Sequence, residues 1–231
     1  MQHGSFPAGV AGSELTRLLA RLAETPPPDT APAFAEGLGR WLGWADAVSL
    51  STALSTDLGR VDAGPASGAS GLEEADFHRV RAALAASIAK GPDDDASSPA
   101  DFSPYRRHCH AQQQAMQNAI AALRQRLRDA LSRRSPALAK LAAIDAVMDR
   151  ALSAQERTLL GLVPLRLQSH FERMARAARS ADRSGGDSTD DTRWTDAFRQ
   201  DMERVLLAEL SHRLMPAQGL LDSLHPLPQT P

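Results

Sequence analysis

The 231-residue chain has one cysteine, Cys109, so an internal disulfide is impossible. That fits a reducing compartment. Aromatic residues make up only 4% of it, so large flat stacking platforms are scarce. Valine and isoleucine are few, which removes the residues that strands favour. No stretch approaches the about 18 uninterrupted apolar residues that suggest a membrane span. Met1 to Val10 has neither the basic nor the apolar region of a secretory signal. Together these absences predict a cytoplasmic protein without membrane insertion. Lysine is nearly missing too, since only Lys90 and Lys140 accompany the arginines.

What remains is dominated by alanine, leucine, arginine and glutamine, all good helix formers. Apolar content of 42% and charged content of 23% are ordinary for a globular protein. The composition predicts an all-α chain. Net charge is −2 but unevenly placed. Residues 1–100 carry seven basic against thirteen acidic side chains, whereas residues 105–179 carry fourteen against five. Such asymmetry marks either an anionic partner or two halves that attract each other.

The strongest pattern runs from Tyr105 to Arg134. Tyr105, Cys109, Gln112, Met116, Ile120, Leu123, Leu127 and Leu131 recur at steps of three or four, with Gln112 the one polar interruption. That spacing is the seam of a helix that packs along another helix, as in a coiled coil. Ser103-Pro104 reads as its N-cap and first-turn proline, and Ser135-Pro136 repeats the signal for a following helix through Leu138, Leu141, Ile144, Val147, Met148 and Leu152. A tight Ser-Pro corner between them predicts an αα-hairpin.

Shorter helices flank it. Ser13 precedes Leu15, Leu18, Leu19 and Leu22, and Pro26 to Pro28 stop that run. A second helix from near Thr30 carries Phe34, Leu38, Trp41, Leu42 and Ala45 to Val48, with a break near Gly43. Phe77, Val80, Leu84 and Ile88 define a third, ended by Gly91 and Pro92. Ser153 with Glu156 reads as a capping box for the series Leu159, Leu160, Leu162, Val163, Leu167, Phe171 and Met174, with a kink at Pro164. Trp194, Phe198, Met202, Val205, Leu206 and Leu210 mark a last main helix, and Leu214 to Leu224 a further turn or two. Polar stretches 55–71, 92–102 and 180–191 read as linkers and both termini as disordered. The chain thus divides into N-terminal helices (1–100), a central hairpin (101–182) and a C-terminal helix packing on the bundle (183–231).

No motif spells out catalysis. His108, Cys109 and His110 are adjacent, so helical geometry points them about 100° apart and they do not converge on a metal. A packed Cys109 between exposed histidines is the expectation. Gly37, Gly39 and Gly43 lack the third glycine of a dinucleotide fingerprint, and Asp93 to Asp95 lack the glycine and glutamate of a calcium loop. His170 and Glu172, two apart, fall on different helix faces. The residues therefore predict no cofactor, no metal and no enzyme. Arg124, Arg126, Arg128, Arg133 and Arg134 are read along the solvent side of the long helix, where they could bind phosphates, but no aromatics interleave them. Leu123, Leu127 and Leu131, flanked by Arg124 and Arg128, are the candidate partner-binding residues, with intramolecular core as the other meaning of the leucines.

Five segments, Phe34–Leu50, Phe102–Met116, Ser135–Met148, Leu160–Arg173 and Glu209–Leu224, resemble an uncharacterised proteobacterial family, domain of unknown function 3348. The resemblance implies no catalytic residues. It implies genes set beside proton-channel and OmpA-like envelope proteins, hence an accessory of an envelope-linked assembly. The leading expectation is a non-catalytic helical interaction or scaffold protein that takes a protein partner or associates with itself. The alternative is a nucleic-acid binder using the basic central helices.

Overall fold

The computed structural model describes residues 14–22, 44–55, 70–92, 101–182 and 190–225. Seven helices cover them: α1 (Glu14–Leu22), α2 (Trp44–Ser55), α3 (Ser70–Ala89), α4 (Ser103–Arg134), α5 (Pro136–Leu160), α6 (Val163–Asp182) and α7 (Asp190–Leu224). No strand occurs among the described residues. The chain is an all-α bundle.

The seam predicted for the long helix holds throughout. All of Tyr105, Cys109, Gln112, Met116, Ile120, Leu123, Leu127 and Leu131 are buried. At 32 residues α4 is roughly 48 Å long, since each residue rises 1.5 Å. It lies against α3, α5, α6 and α7, while α7 also meets α1, α3 and α6. The two longest helices are thus the axis, α1, α3, α5 and α6 cover them, and α2 lies against α5. The polar interruption has a mate: Gln112 donates to the Ser87 hydroxyl of α3 at 3.1 Å. One continuous apolar core draws on α1, α3, α4, α5, α6 and α7, so all three segments of the chain contribute to it. Full burial of each large side chain is worth about 1.5–3 kcal/mol.

The helix ends follow local chemistry, with some shifts from the sequence reading. Ser135, in extended backbone, accepts from the Leu138 amide and starts α5 with Pro136 in its first turn. At α4 the cap sits earlier than expected: Phe102 is the N-cap, and the Asp101 carboxylate accepts the Ser103 amide at 2.8 Å. Gly91, at φ 70°, closes α3 as expected, because a left-handed residue there suits glycine. Ser153 starts nothing; its hydroxyl donates to the Arg150 carbonyl within an unbroken α5. The break falls at Gly161-Leu162 instead, which places Pro164 in the first turn of α6, where a missing amide donor costs little. Helix α2 continues past Val48 to Ser55. The linkers are narrower than expected, because α3 begins at Ser70, α6 runs to Asp182 and α7 begins at Asp190. Of the helix predicted from near Thr30 to Val48, the part before Trp44 lies outside the described residues, as do both chain termini.

The largest departure is α7. It does not end near Leu210 but runs 35 residues, straight through Pro216. Beyond the proline, Ala217, Leu220, Leu221 and Leu224 are all buried. Their burial outweighs the roughly 3 kcal/mol that an interior proline costs. Pro216 itself is exposed. Replacing it with alanine restores an amide donor without touching the core. Pro216→Ala should therefore raise stability by about 1–3 kcal/mol, read as a higher urea midpoint at unchanged m-value.

Candidate functional site

The five residues expected on a partner-binding face are turned inward. Leu123, Leu127 and Leu131 are 0%, 1% and 0% exposed and belong to the core, the second of their two meanings. Arg124 and Arg128 do not face solvent either, which corrects their reading as flanking surface charges. Arg124 reaches across the hairpin to Asp145 and Asp149 of α5, at 2.6 Å each. Arg128 meets the same two carboxylates at 2.9 and 2.8 Å. The reason is geometric. Positions four apart share a helix face, so two arginines one turn apart on α4 oppose two aspartates one turn apart on α5. Largely buried charges need such partners, because desolvation is costly without them. Arg126 likewise pairs with Asp76 of α3 at 2.7 Å. Three of the five arginines read as a solvated anion-binding face are thus engaged by carboxylates of neighbouring helices.

A second polar group lies deeper. Glu209 of α7 is fully buried. Arg213, one turn on, donates Nε to it at 2.9 Å and brings Nη2 to 2.8 Å as an ion pair. Gln113 of α4 donates Nε2 to both Glu209 oxygens at 3.1 and 3.2 Å, and to the Leu160 carbonyl at 2.9 Å. That carbonyl is one that the end of α5 leaves without a helical donor. The cluster therefore clips the end of α5 to both axial helices. Cys109 stands beside it, fully buried. Burial, and then the Glu209 carboxylate, push its thiol up to about 12. It stays protonated at neutral pH, which is not the state of a nucleophile.

The clip holds a corner whose outer side carries three leucines among the exposed Arg157, Thr158 and Arg166. Gly161 donates its amide to the Arg157 carbonyl at 2.9 Å, and Leu162 donates to Leu159 at 3.2 Å. Leu160, Val163, Pro164 and Leu167 point in and are buried. Leu159, Leu162 and Leu165, at successive steps of three, point out and are 51%, 47% and 60% exposed. Single exposed leucines are commonplace, but here three fall within seven residues on one fixed turn. The sequence held a signal for it. Leu159, Leu160, Leu162 and Val163 are too dense to fit on one helix face, so some must face outward.

His170 of α6 makes what resembles an acid–base pair, with Nε2 3.0 Å from Asp201 of α7. Arg173 donates to His170 Nδ1 at 2.9 Å and to the Leu22 carbonyl at 2.7 Å. An acceptor role at Nδ1 leaves the proton on Nε2, directed at Asp201. The chain of bonds fastens the end of α1 to α6 and α7. Around it Phe102, Tyr105, Phe171, Trp194 and Phe198 form one knot, with ring centres 5.0–6.2 Å apart. Among the described residues no group of three His, Cys, Asp or Glu side chains could hold a metal ion. No helix of the described residues is long and apolar enough to cross a membrane.

The profile of the family "protein of unknown function (DUF3348)" matches residues 1–226, so the chain belongs to that family. No curated protein and no solved structure matches it.

Two measurements probe the polar interior. Asp145→Ala should cost about 2–4 kcal/mol, because it strips a carboxylate from two largely buried arginines. Asp129→Ala, at an exposed position of α4, should change stability by less than about 0.5 kcal/mol. The Cys109 thiol should resist a thiol reagent in the folded protein and react fully in urea. Its pKa rises from 9.0 unfolded to about 12 folded. The thiol's contribution to stability is therefore whole below pH 9 and lost as pH climbs towards 12. Cys109→Ala should flatten that part of the stability–pH curve.

Proposed function

We propose that this DUF3348 protein is a non-catalytic helical interaction protein that meets another protein at the leucine corner between α5 and α6. The observation that supports the reading is the outward set Leu159, Leu162 and Leu165, each about half exposed on a turn held by Glu209 and Gln113. A pre-formed apolar corner costs little to order on binding. Its complement is the apolar stripe of an amphipathic helix, from another protein or a second copy. The family's implied setting, beside proton-channel and OmpA-like envelope proteins, makes an envelope-linked assembly the first place to seek that partner. The nucleic-acid alternative has less support, since Arg124, Arg126 and Arg128 are paired with carboxylates.

The triple variant Leu159→Ser, Leu162→Ser, Leu165→Ser should keep its helical circular dichroism. It should lose the self-association seen by light scattering, or the partner captured by cross-linking of the wild type, by tenfold or more. A variant that retains the same mass and the same cross-linked partner would sink the reading.

A further inference from the structure

Further along α6 a cleft of about 410 Å³ opens against the first turn of α4. Gln168, Glu172, Arg176 and Arg179 follow one another at steps of four, four and three, so they form one stripe of α6 facing Asp101, Ser103 and Arg106. Phe102 and Phe171 of the aromatic knot back the cleft. Three guanidinium groups thus meet two carboxylates around it. Both carboxylates are occupied: Asp101 accepts the Ser103 amide at 2.8 Å, and Glu172 accepts from Gln168 at 2.9 Å.

Two of these arginines differ from those that tie the bundle's helices together. Arg106 lies over the Phe102 ring, 5.6 Å from its centre, and donates Nη2 to the neutral Gln168 oxygen at 2.9 Å. Arg176 donates Nε to the Glu172 backbone carbonyl at 3.1 Å. Among the described residues neither forms an ion pair with a carboxylate, whereas Arg124, Arg126, Arg128 and Arg213 all do. A guanidinium carries five N–H donors in a planar fork suited to two oxygens of one oxyanion. Arg106 and Arg176 are each held by a neutral acceptor, so their forks are oriented without a carboxylate in direct hydrogen-bonding contact. The volume lies within the about 300–1,000 Å³ of small-molecule sites.

We propose that this cleft binds a small phosphate-bearing molecule, its phosphate gripped between Arg106 of α4 and Arg176 of α6. The site is separate from the leucine corner and does not depend on a protein partner. Arginine suits phosphate here because the two forks approach from different helices and can share its oxygens.

Calorimetric titration of the full chain with inorganic phosphate and with glycerol 3-phosphate, at ionic strength matched by chloride, tests it. Flotation with phosphatidate vesicles in the same buffer separates a soluble phosphate from a lipid headgroup. Saturable binding in either arm is expected, with affinity reduced at least tenfold in Arg106→Gln, Arg176→Gln. Both positions are exposed, so that variant should fold as the wild type does, checked by its circular dichroism and urea midpoint. Arg133→Gln, Arg204→Gln, two exposed arginines outside the cleft, should bind as the wild type does. No saturable heat and no vesicle binding, or equal affinity in the Arg106/Arg176 variant, would overturn the proposal.

Discussion

Helix α4 buries an apolar stripe from Tyr105 to Leu131, more than seven helical turns. A stripe of that length needs an apolar surface of the same length along it, or water would reach part of the seam. Helix α7 supplies that surface by running 35 residues without a stop. Its continuation through Pro216 makes sense in those terms. Ending the helix at the proline would uncover Leu220, Leu221 and Leu224. The remaining helices then cover the flanks: α3 over both axial helices, α5 as the second arm of the hairpin, and α1 with α6 around the aromatic knot. Five of the ten aromatic residues gather in that knot, so their scarcity does not leave the core without large side chains.

Most polar groups enter this interior in matched sets, although Gln112 Oε1 and His212 Nδ1 are buried without a hydrogen-bond partner. Arg124 and Arg128 face Asp145 and Asp149; Glu209 faces Arg213 and Gln113; Gln112 faces Ser87. The low-dielectric interior makes an unmatched charge expensive and a matched one neutral in effect. The matching also accounts for part of the charge asymmetry along the chain. Asp76, from the acidic first part, meets Arg126, from the basic middle. Other basic residues of the middle find partners within the same hairpin. The two meanings of the asymmetry therefore both have a place, because Arg106 and Arg176 make no ion pair at contact distance among the described residues.

The same accounting locates the surface that function can use. Residues that satisfy the core are unavailable to a partner. Among the described residues, what is left over includes the outward side of the α5–α6 turn, with Leu159, Leu162 and Leu165, and the arginine-lined cleft beside α6. Each is fixed by interior chemistry. The Glu209 cluster holds the turn through the Leu160 carbonyl, and the aromatic knot backs the cleft.

Periodicity and punctuation in the sequence determined the helical class, the whole buried seam of α4, the Ser135-Pro136 turn and the stop at Gly91. Those features depend on residues within a few positions of each other, and a helix face is a local property. The fate of Arg124 and Arg128 was decided only in three dimensions. Nothing near them in the chain says that Asp145 and Asp149, some twenty residues away, stand opposite across a turn. The same holds for α7, whose passage through Pro216 is repaid by surfaces on other helices. It holds too for the cleft, where Arg106 and Arg176 are seventy positions apart in sequence and neighbours only because α4 and α6 pack together. Long-range apposition sets which charges are neutralised, and that sets which surface is left to bind.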